Sequence, residues 1–204
     1  MAAGRFYYFN GFNSAIPGDW SENPKIAGVA EYALGREFEF LPTSIDFRRA
    51  ESLCREIVCS IRGDEPRVVF CGSSMGGWFA RIAQLRLARE RPGQCADAVA
   101  FNPAFSLDRH GDLLVGPQEN FVTGETYEWT PADSERLAHL EASVDYDDPL
   151  PYFVYVDRGD EVIAWEQSAA RHAGMTRFHA FRGGCHSFDH FREALRDYDA
   201  RTFG

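Results

Sequence analysis

The sequence predicts an α/β fold built on a mostly parallel sheet with helices on both faces. Two observations carry that reading. Short apolar runs alternate along the chain with segments of helical periodicity. No internal repeat, low-complexity tract or Gly/Ser/Pro linker divides the 204 residues, so a single domain over 1–204 is expected. Sheets of this kind bind ligands beyond the carboxyl ends of their strands, so the loop after each strand is where chemistry is sought.

Arg5–Phe9, dense in aromatic residues, reads as a buried strand. Asn23–Leu34 has helical spacing and leads to a short strand at Glu37–Leu41. Asp46 can cap a helix running to Ile61, whose apolar positions Ala50, Leu53, Ile57, Val58 and Ile61 share one face. Arg67–Cys71 is a β-branched strand, Met75–Glu90 a helix, and Ala96–Phe101 a strand. Thr130-Pro131-Ala132-Asp133 has the layout of a capping box with proline in the first turn, which predicts a helix to about Glu141. Tyr152–Val156 is a strand, Ile163–Ala173 a helix, Arg177–Phe181 a strand and Phe188–Asp199 the last helix. Six strands result.

Composition narrows the class of function. With 21 basic and 31 acidic residues the formal charge is −10, which argues against nucleic acid and against a polybasic membrane-binding surface. No apolar stretch approaches the roughly 20 residues of a spanning helix. The start Met1-Ala2-Ala3-Gly4-Arg5 lacks a signal-peptide layout, so a cytoplasmic location is expected. Cys54, Cys59, Cys71, Cys95 and Cys185 form no C-x-x-C pair, which suits free thiols better than disulfides or zinc. Lys25 is the only lysine and reads as a compositional bias.

The third strand runs directly into Gly72-Ser73-Ser74-Met75-Gly76-Gly77 and then a helix. This is G-x-S-x-G in its strand–turn–helix setting. Gly72 and Gly76 let the strand and helix approach closely. Ser74 occupies the tip, and the helix N-terminus faces any oxyanion formed there. A phosphate-binding loop would need a different glycine spacing or a lysine that this segment lacks.

A serine nucleophile needs a histidine base, and the histidine an acid. Of the six histidines, His186 lies in Gly183-Gly184-Cys185-His186-Ser187-Phe188, the loop after the last strand, where the base belongs. His190, four residues on, completes no zinc motif, and no metal is expected. The acid should follow the fifth strand, where Asp157, Asp160 and Glu161 cluster. Gly159 favours Asp160; Asp157 could pair with Arg158, and Glu161 should face solvent. After the first strand, Gly11 allows a turn that presents the Phe12 N–H as one oxyanion donor, with the Met75 N–H as the other.

Together these segments resemble the YqiA/YcfP esterases, a small lidless branch of the α/β-hydrolase superfamily. The likeness rests on Phe9-Asn10-Gly11-Phe12-Asn13-Ser14 with Pro17-Gly18, the Ser74 elbow, and Phe101-Asn102-Pro103-Ala104. Gln118-Glu119-Asn120, Thr123-Gly124-Glu125-Thr126-Tyr127, Gly159-Asp160-Glu161-Val162 and the His186 loop extend it over nearly the whole chain. It implies a minimal α/β-hydrolase fold without a separate cap domain, and hydrolysis of a small-molecule carboxylic ester or thioester without a cofactor. It also carries the acid role onto Asp160. One position departs: these proteins usually place histidine where Asn10 stands, and asparagine can hydrogen-bond but not carry charge.

The expected reaction is attack by Ser74 on an ester carbonyl, with His186 as base, Asp160 orienting it and Phe12 and Met75 binding the oxyanion. Phe105, Phe121, Tyr127 and Trp129, between Asn102 and Leu150, could line an acyl groove or serve as packing. Trp78 and Cys185 read as packing. A non-catalytic ligand-binding protein and an acyltransferase remain alternatives with the same residues. A flavodoxin-like cofactor binder would leave Ser74, Asp160 and His186 unexplained.

Overall fold

The computed structural model describes residues 3–172, Gly174 and residues 177–204. The leading Met1 and Ala2, and Ala173 at the end of the helix expected over 163–173, lie outside the described residues. Six parallel strands form the main sheet: β1 (Gly4–Phe9), β2 (Phe38–Thr43), β3 (Val68–Ser73), β4 (Ala96–Phe101), β7 (Tyr152–Asp157) and β8 (Phe178–Phe181). Their order is β2-β1-β3-β4-β7-β8. Two further strands, β5 (Gly116–Glu119) and β6 (Thr126–Trp129), form a separate antiparallel hairpin.

The helices are α1 (Pro24–Gly35), α2 (Ala50–Ser60), α3 (Met75–Glu90), the short α4 (Leu107–His110), α5 (Pro131–Ala142), α6 (Trp165–Arg171) and α7 (Phe191–Thr202). Alternating strand residues feed two cores. Phe6, Tyr8, Val69, Cys71, Val99, Phe101, Phe153 and Tyr155 pack under α1 and α7. Tyr7, Phe9, Val68, Phe70, Ala98, Ala100 and Val154 pack under α2, α3 and α5. Both faces of the sheet are covered, which is why its central strands read as continuous apolar runs rather than as alternating ones.

The differences from the sequence-based reading are local. Asp46 caps a single 3₁₀ turn at Phe47–Arg49, and α2 starts after it. The last helix begins at Phe191, three residues later than expected, because Phe188 takes a left-handed φ of 66° that helical backbone does not tolerate. The hairpin is not evident from sequence because Gly-Pro-Gln-Glu has no apolar alternation, and the alternation of Thr-Tyr-Glu-Trp runs over only four residues. The capping box at Thr130 and Asp133 forms as expected.

Chain order locates the functional region. From β1 the chain steps outward to β2, then returns to the other side of β1 as β3. The loops after β1 and β3 therefore leave toward opposite faces and open a crevice between them. The segment leading into β7 is held from below by Arg81 of α3, whose buried guanidinium donates to the carbonyls of Tyr146, Asp148 and Leu150 and stacks over Tyr152 at 5.0 Å. No helix among the described residues is long and apolar enough to cross a membrane.

His172, at the end of α6, is fully buried among Phe105, Tyr152 and Phe178, and its Nδ1–H donates to the Ser168 carbonyl at 2.8 Å. Burial lowers its pKa from 6.5 to about 4. The folded state thus excludes a proton that the unfolded chain accepts. Stability is fully present above the unfolded pKa and falls as pH drops from there toward the folded one. Between pH 7 and 5, denaturant titrations should show the wild type losing about 2 kcal/mol more than His172→Asn. Equal losses in both proteins would refute the assignment.

Candidate active site

The Ser74 elbow stands between β3 and α3. Ser74 has φ 54° and ψ −125°, a conformation that costs a non-glycine residue on the order of 1–3 kcal/mol. The turn is held by close main-chain approach. A Cβ on Gly72 would lie 2.3 Å from the Gly76 carbonyl oxygen, and one on Gly76 would lie 2.4–2.5 Å from the carbonyl oxygens of Asn10 and Phe9. The Ser74 N–H donates to Phe101 O at 2.9 Å, and the Ser74 carbonyl accepts from Gly77, Trp78 and Ala104. Its neighbours Ser73 and Met75 are buried, whereas Ser74 itself is only half-buried.

The loop after β1 lies directly against it. A Cβ on Gly11 would be 3.3 Å from Ser74 Cβ and 3.8 Å from Ser74 Oγ. Asn10 shapes this loop. Its Oδ1 accepts the Ile45 N–H at 2.8 Å, and its Nδ2 donates to Gly11 O at 2.8 Å and Ser14 O at 2.5 Å. Asparagine therefore serves as a neutral clamp between the loops after β1 and β2. Among the described residues, neither the Phe12 nor the Met75 N–H makes a hydrogen bond. Met75 opens α3, where the first N–H groups have no intrahelical partner, and Ser74 offers no side-chain cap.

The histidine loop follows β8. His186 Nδ1 donates to both oxygens of Asp160 at 2.9 Å. The Asp160 side chain is 1% exposed and that of His186 is 23% exposed. Asp160 Oδ1 also accepts the N–H groups of Val162 and Ile163 at 2.8 Å, so the carboxylate is fixed before it meets the ring. With Nδ1 as donor, Nε2 is left as the acceptor. Glu161 is exposed, yet its carboxylate accepts the His186 N–H at 2.9 Å. Ser74 Oγ makes no hydrogen bond among the described residues.

Asp157 pairs not with Arg158 but with His190, whose Nδ1 donates to it at 2.6 Å while its ring stacks on Phe181 at 4.9 Å. Arg158 lies over Trp165 instead. His186 and His190 thus serve different carboxylates, and no group of three metal-ligating side chains occurs among the described residues.

Two residues that composition and motif reading left without a role tie the loops together. Asn102, at φ 42° after β4, donates from Nδ2 to the carbonyls of Cys185 and His186 at 2.9 and 3.2 Å and accepts the Asp157 N–H at 2.8 Å. Since Phe101 O receives the Ser74 N–H, Asn102 links the serine and histidine loops within one residue. Lys25, in the first turn of α1, donates to Ser187 O at 2.6 Å; burial lowers its pKa to about 8. Its being the only lysine gave no hint of this tether.

The aromatic residues between Asn102 and Leu150 separate. Trp129 is fully buried, its indole N–H on Ser134 Oγ. Trp78 is likewise buried. Tyr127 donates its hydroxyl to Asn13 and lies under Arg48. Phe105 is half-buried against His172, and Phe121 is 80% exposed on the hairpin.

The profile of the uncharacterised protein family UPF0227 matches residues 5–200. The chain belongs to this family. UPF0227 is the YqiA/YcfP family that the sequence motifs resemble. No curated protein sequence matches the chain. Among solved structures, Est1E from Butyrivibrio proteoclasticus superposes with a TM-score of 0.66 at 13% identity, covering 98% of this chain and 88% of Est1E. The esterase domain of a Rhodothermus marinus protein gives 0.63 at 13% identity, with 98% and 88% covered. Mouse α/β hydrolase domain-containing protein 10 gives 0.61 at 14% identity, with 97% and 90% covered. These UPF0227 residues thus have the α/β-hydrolase fold.

Because the atoms facing Gly76 are main-chain carbonyls, they cannot move aside. Gly76→Ala should therefore destabilise the protein by roughly 3 kcal/mol or prevent folding. Gly18→Ala, where a Cβ meets nothing within 4 Å, should be nearly neutral. Thermal melts of the two variants check this, and equal melting temperatures would refute it.

Proposed function

We propose that the protein is a serine carboxylic-ester hydrolase, acting on a small-molecule ester or thioester through an acyl-enzyme. The observation that carries this reading is the fixed His186–Asp160 pair, bound through Asn102 to the loop that holds Ser74 in a strained backbone. Esterase names among the fold neighbours support the class.

In this reading Ser74 Oγ attacks the acyl carbonyl carbon as His186 Nε2 takes the hydroxyl proton. The C–O bond to the alcohol, or the C–S bond to the thiol, breaks, and the leaving group receives that proton. Water then attacks the acyl-enzyme by the same route and releases the carboxylic acid. Asp160 holds the imidazole tautomer and stabilises its charged form. The N–H groups of Phe12 and Met75 receive the developing oxyanion, a contribution of typically 2.7–4 kcal/mol per donor in related chemistry, roughly. The Ser74–His186 hydrogen bond is the one contact of the triad not made in the structure, and such contacts tighten when substrate binds. No step needs a cofactor. The same residues would serve an acyltransferase, which product analysis with a competing alcohol separates from a hydrolase.

Labelling with a fluorophosphonate probe and turnover of a p-nitrophenyl ester provide the test. Wild type should be labelled at Ser74, and Ser74→Ala should lose both labelling and turnover. Asp160→Asn should lower kcat by about 10³–10⁴ with KM little changed. An unlabelled wild type, or an active Ser74→Ala, would overturn the reading.

A further inference from the structure

The β5–β6 hairpin meets the loop after β1 chiefly through hydrogen bonds to one residue. Asn13, half-buried at φ 52°, directs three polar groups to it. Its carbonyl accepts the Phe121 N–H at 2.8 Å, its Oδ1 accepts the Tyr127 hydroxyl at 2.5 Å, and its Nδ2 donates to Gln118 Oε1 at 2.6 Å. The preceding residue packs on the same unit. The Phe12 ring meets Trp129 edge to face at 5.1 Å and Phe47 at 6.3 Å.

The hairpin is itself braced. Asn120 Oδ1 accepts the N–H groups of Val122 and Thr123, and its main chain pairs with Gly124 and Glu125. Gln118 Nε2 holds Leu114 O at 2.7 Å. Arg48, bound to Asp46, lies 4.4 Å over the Tyr127 ring. These are the Gln118-Glu119-Asn120 and Thr123–Tyr127 segments, to which the esterase mechanism assigns no role.

We propose that the hairpin positions the oxyanion loop: Gln118 and Tyr127 hold Asn13, and Asn13 aims the adjacent Phe12 N–H at the carbonyl oxygen of an acyl group on Ser74. The proposal rests on the serine-hydrolase reading. A free N–H in an unbraced loop would turn toward water or a neighbouring carbonyl, and a left-handed Asn13 needs outside bonds to persist. Misplacing a donor by a fraction of an ångström weakens transition-state binding without weakening ground-state binding. Gln118 and Tyr127 are thus positioning residues that act through Asn13. The hairpin is not assigned as the acyl-binding wall.

The test compares full-length wild type with Tyr127→Phe and Gln118→Met, each of which removes one bond to Asn13 and keeps most of the side-chain volume. Three quantities are measured: p-nitrophenyl acetate kinetics, inhibition by a trifluoromethyl ketone that adds to the serine as an oxyanion, and hydrogen exchange in peptides covering residues 10–14. Each variant should lose about tenfold in kcat with KM within about twofold, and bind the ketone about tenfold more weakly. Exchange at residues 11–14 should rise several-fold while the rest of the chain keeps its protection, about the signature of local release rather than global destabilisation. Unchanged kcat, a raised KM at constant kcat, or unchanged exchange in both variants would overturn the proposal; the second of these would make the hairpin an acyl wall. Should wild type neither turn over esters nor take the fluorophosphonate label, the esterase reading fails by itself, and hydrogen exchange decides whether the hairpin holds the loop.

Discussion

The contact on which the site depends is the near-touching of main chains at the elbow. The first turn of α3 sits against the carbonyls of Phe9 and Asn10, and Gly72 sits against Gly76, at separations no side chain could share. This approach holds Ser74 at its strained positive φ of 54°. It also brings the ends of β1 and β3 together, so that the loop carrying Gly11 lies against Ser74. The strain at Ser74 persists because dense apolar packing on both sides of the sheet over-determines the turn.

Around that contact, the remaining loops are held by neutral polar side chains. Asn10 joins the loops after β1 and β2, Asn102 joins those after β4 and β8, and Asn13 joins the first loop to the hairpin. An asparagine suits each place because it donates and accepts at once without bringing a charge into the crevice. Charged groups act there too: two histidine–carboxylate pairs, Glu161 on the His186 N–H, and Lys25, whose ammonium reaches the histidine loop from α1. Such satisfied networks specify a single geometry, since breaking any member leaves buried polar groups unpaired.

Much of this was legible from residue order. The strand runs, the elbow and the glycine-borne His186 are local signals, each written within about ten residues as periodicity or as a glycine requirement. The hairpin was not legible. Its strands are four residues each, the first with no apolar alternation and the second too short for its alternation to tell, and Asn120 and Asn13 hold their ends. The late start of α7 was hidden for a similar reason, since the left-handed Phe188 that delays it is buried against Phe101 from another part of the chain.

What the sequence determined by itself is the chain order of the six main-sheet strands with their principal helices and the identity of the candidate nucleophile, because backbone sterics at glycine and the period of apolar residues act over neighbouring positions. It also favoured Asp160 within a short carboxylate cluster after one strand. Only the tertiary structure decided that Asp160 serves His186 while Asp157 serves His190, since those pairs form across 26 and 33 residues and depend on which strands are neighbours. The brace on Asn13 is more remote still. Tyr127 reaches it across 114 residues, a contact that no periodicity encodes because it is set by where the folded sheet leaves the first loop and the hairpin.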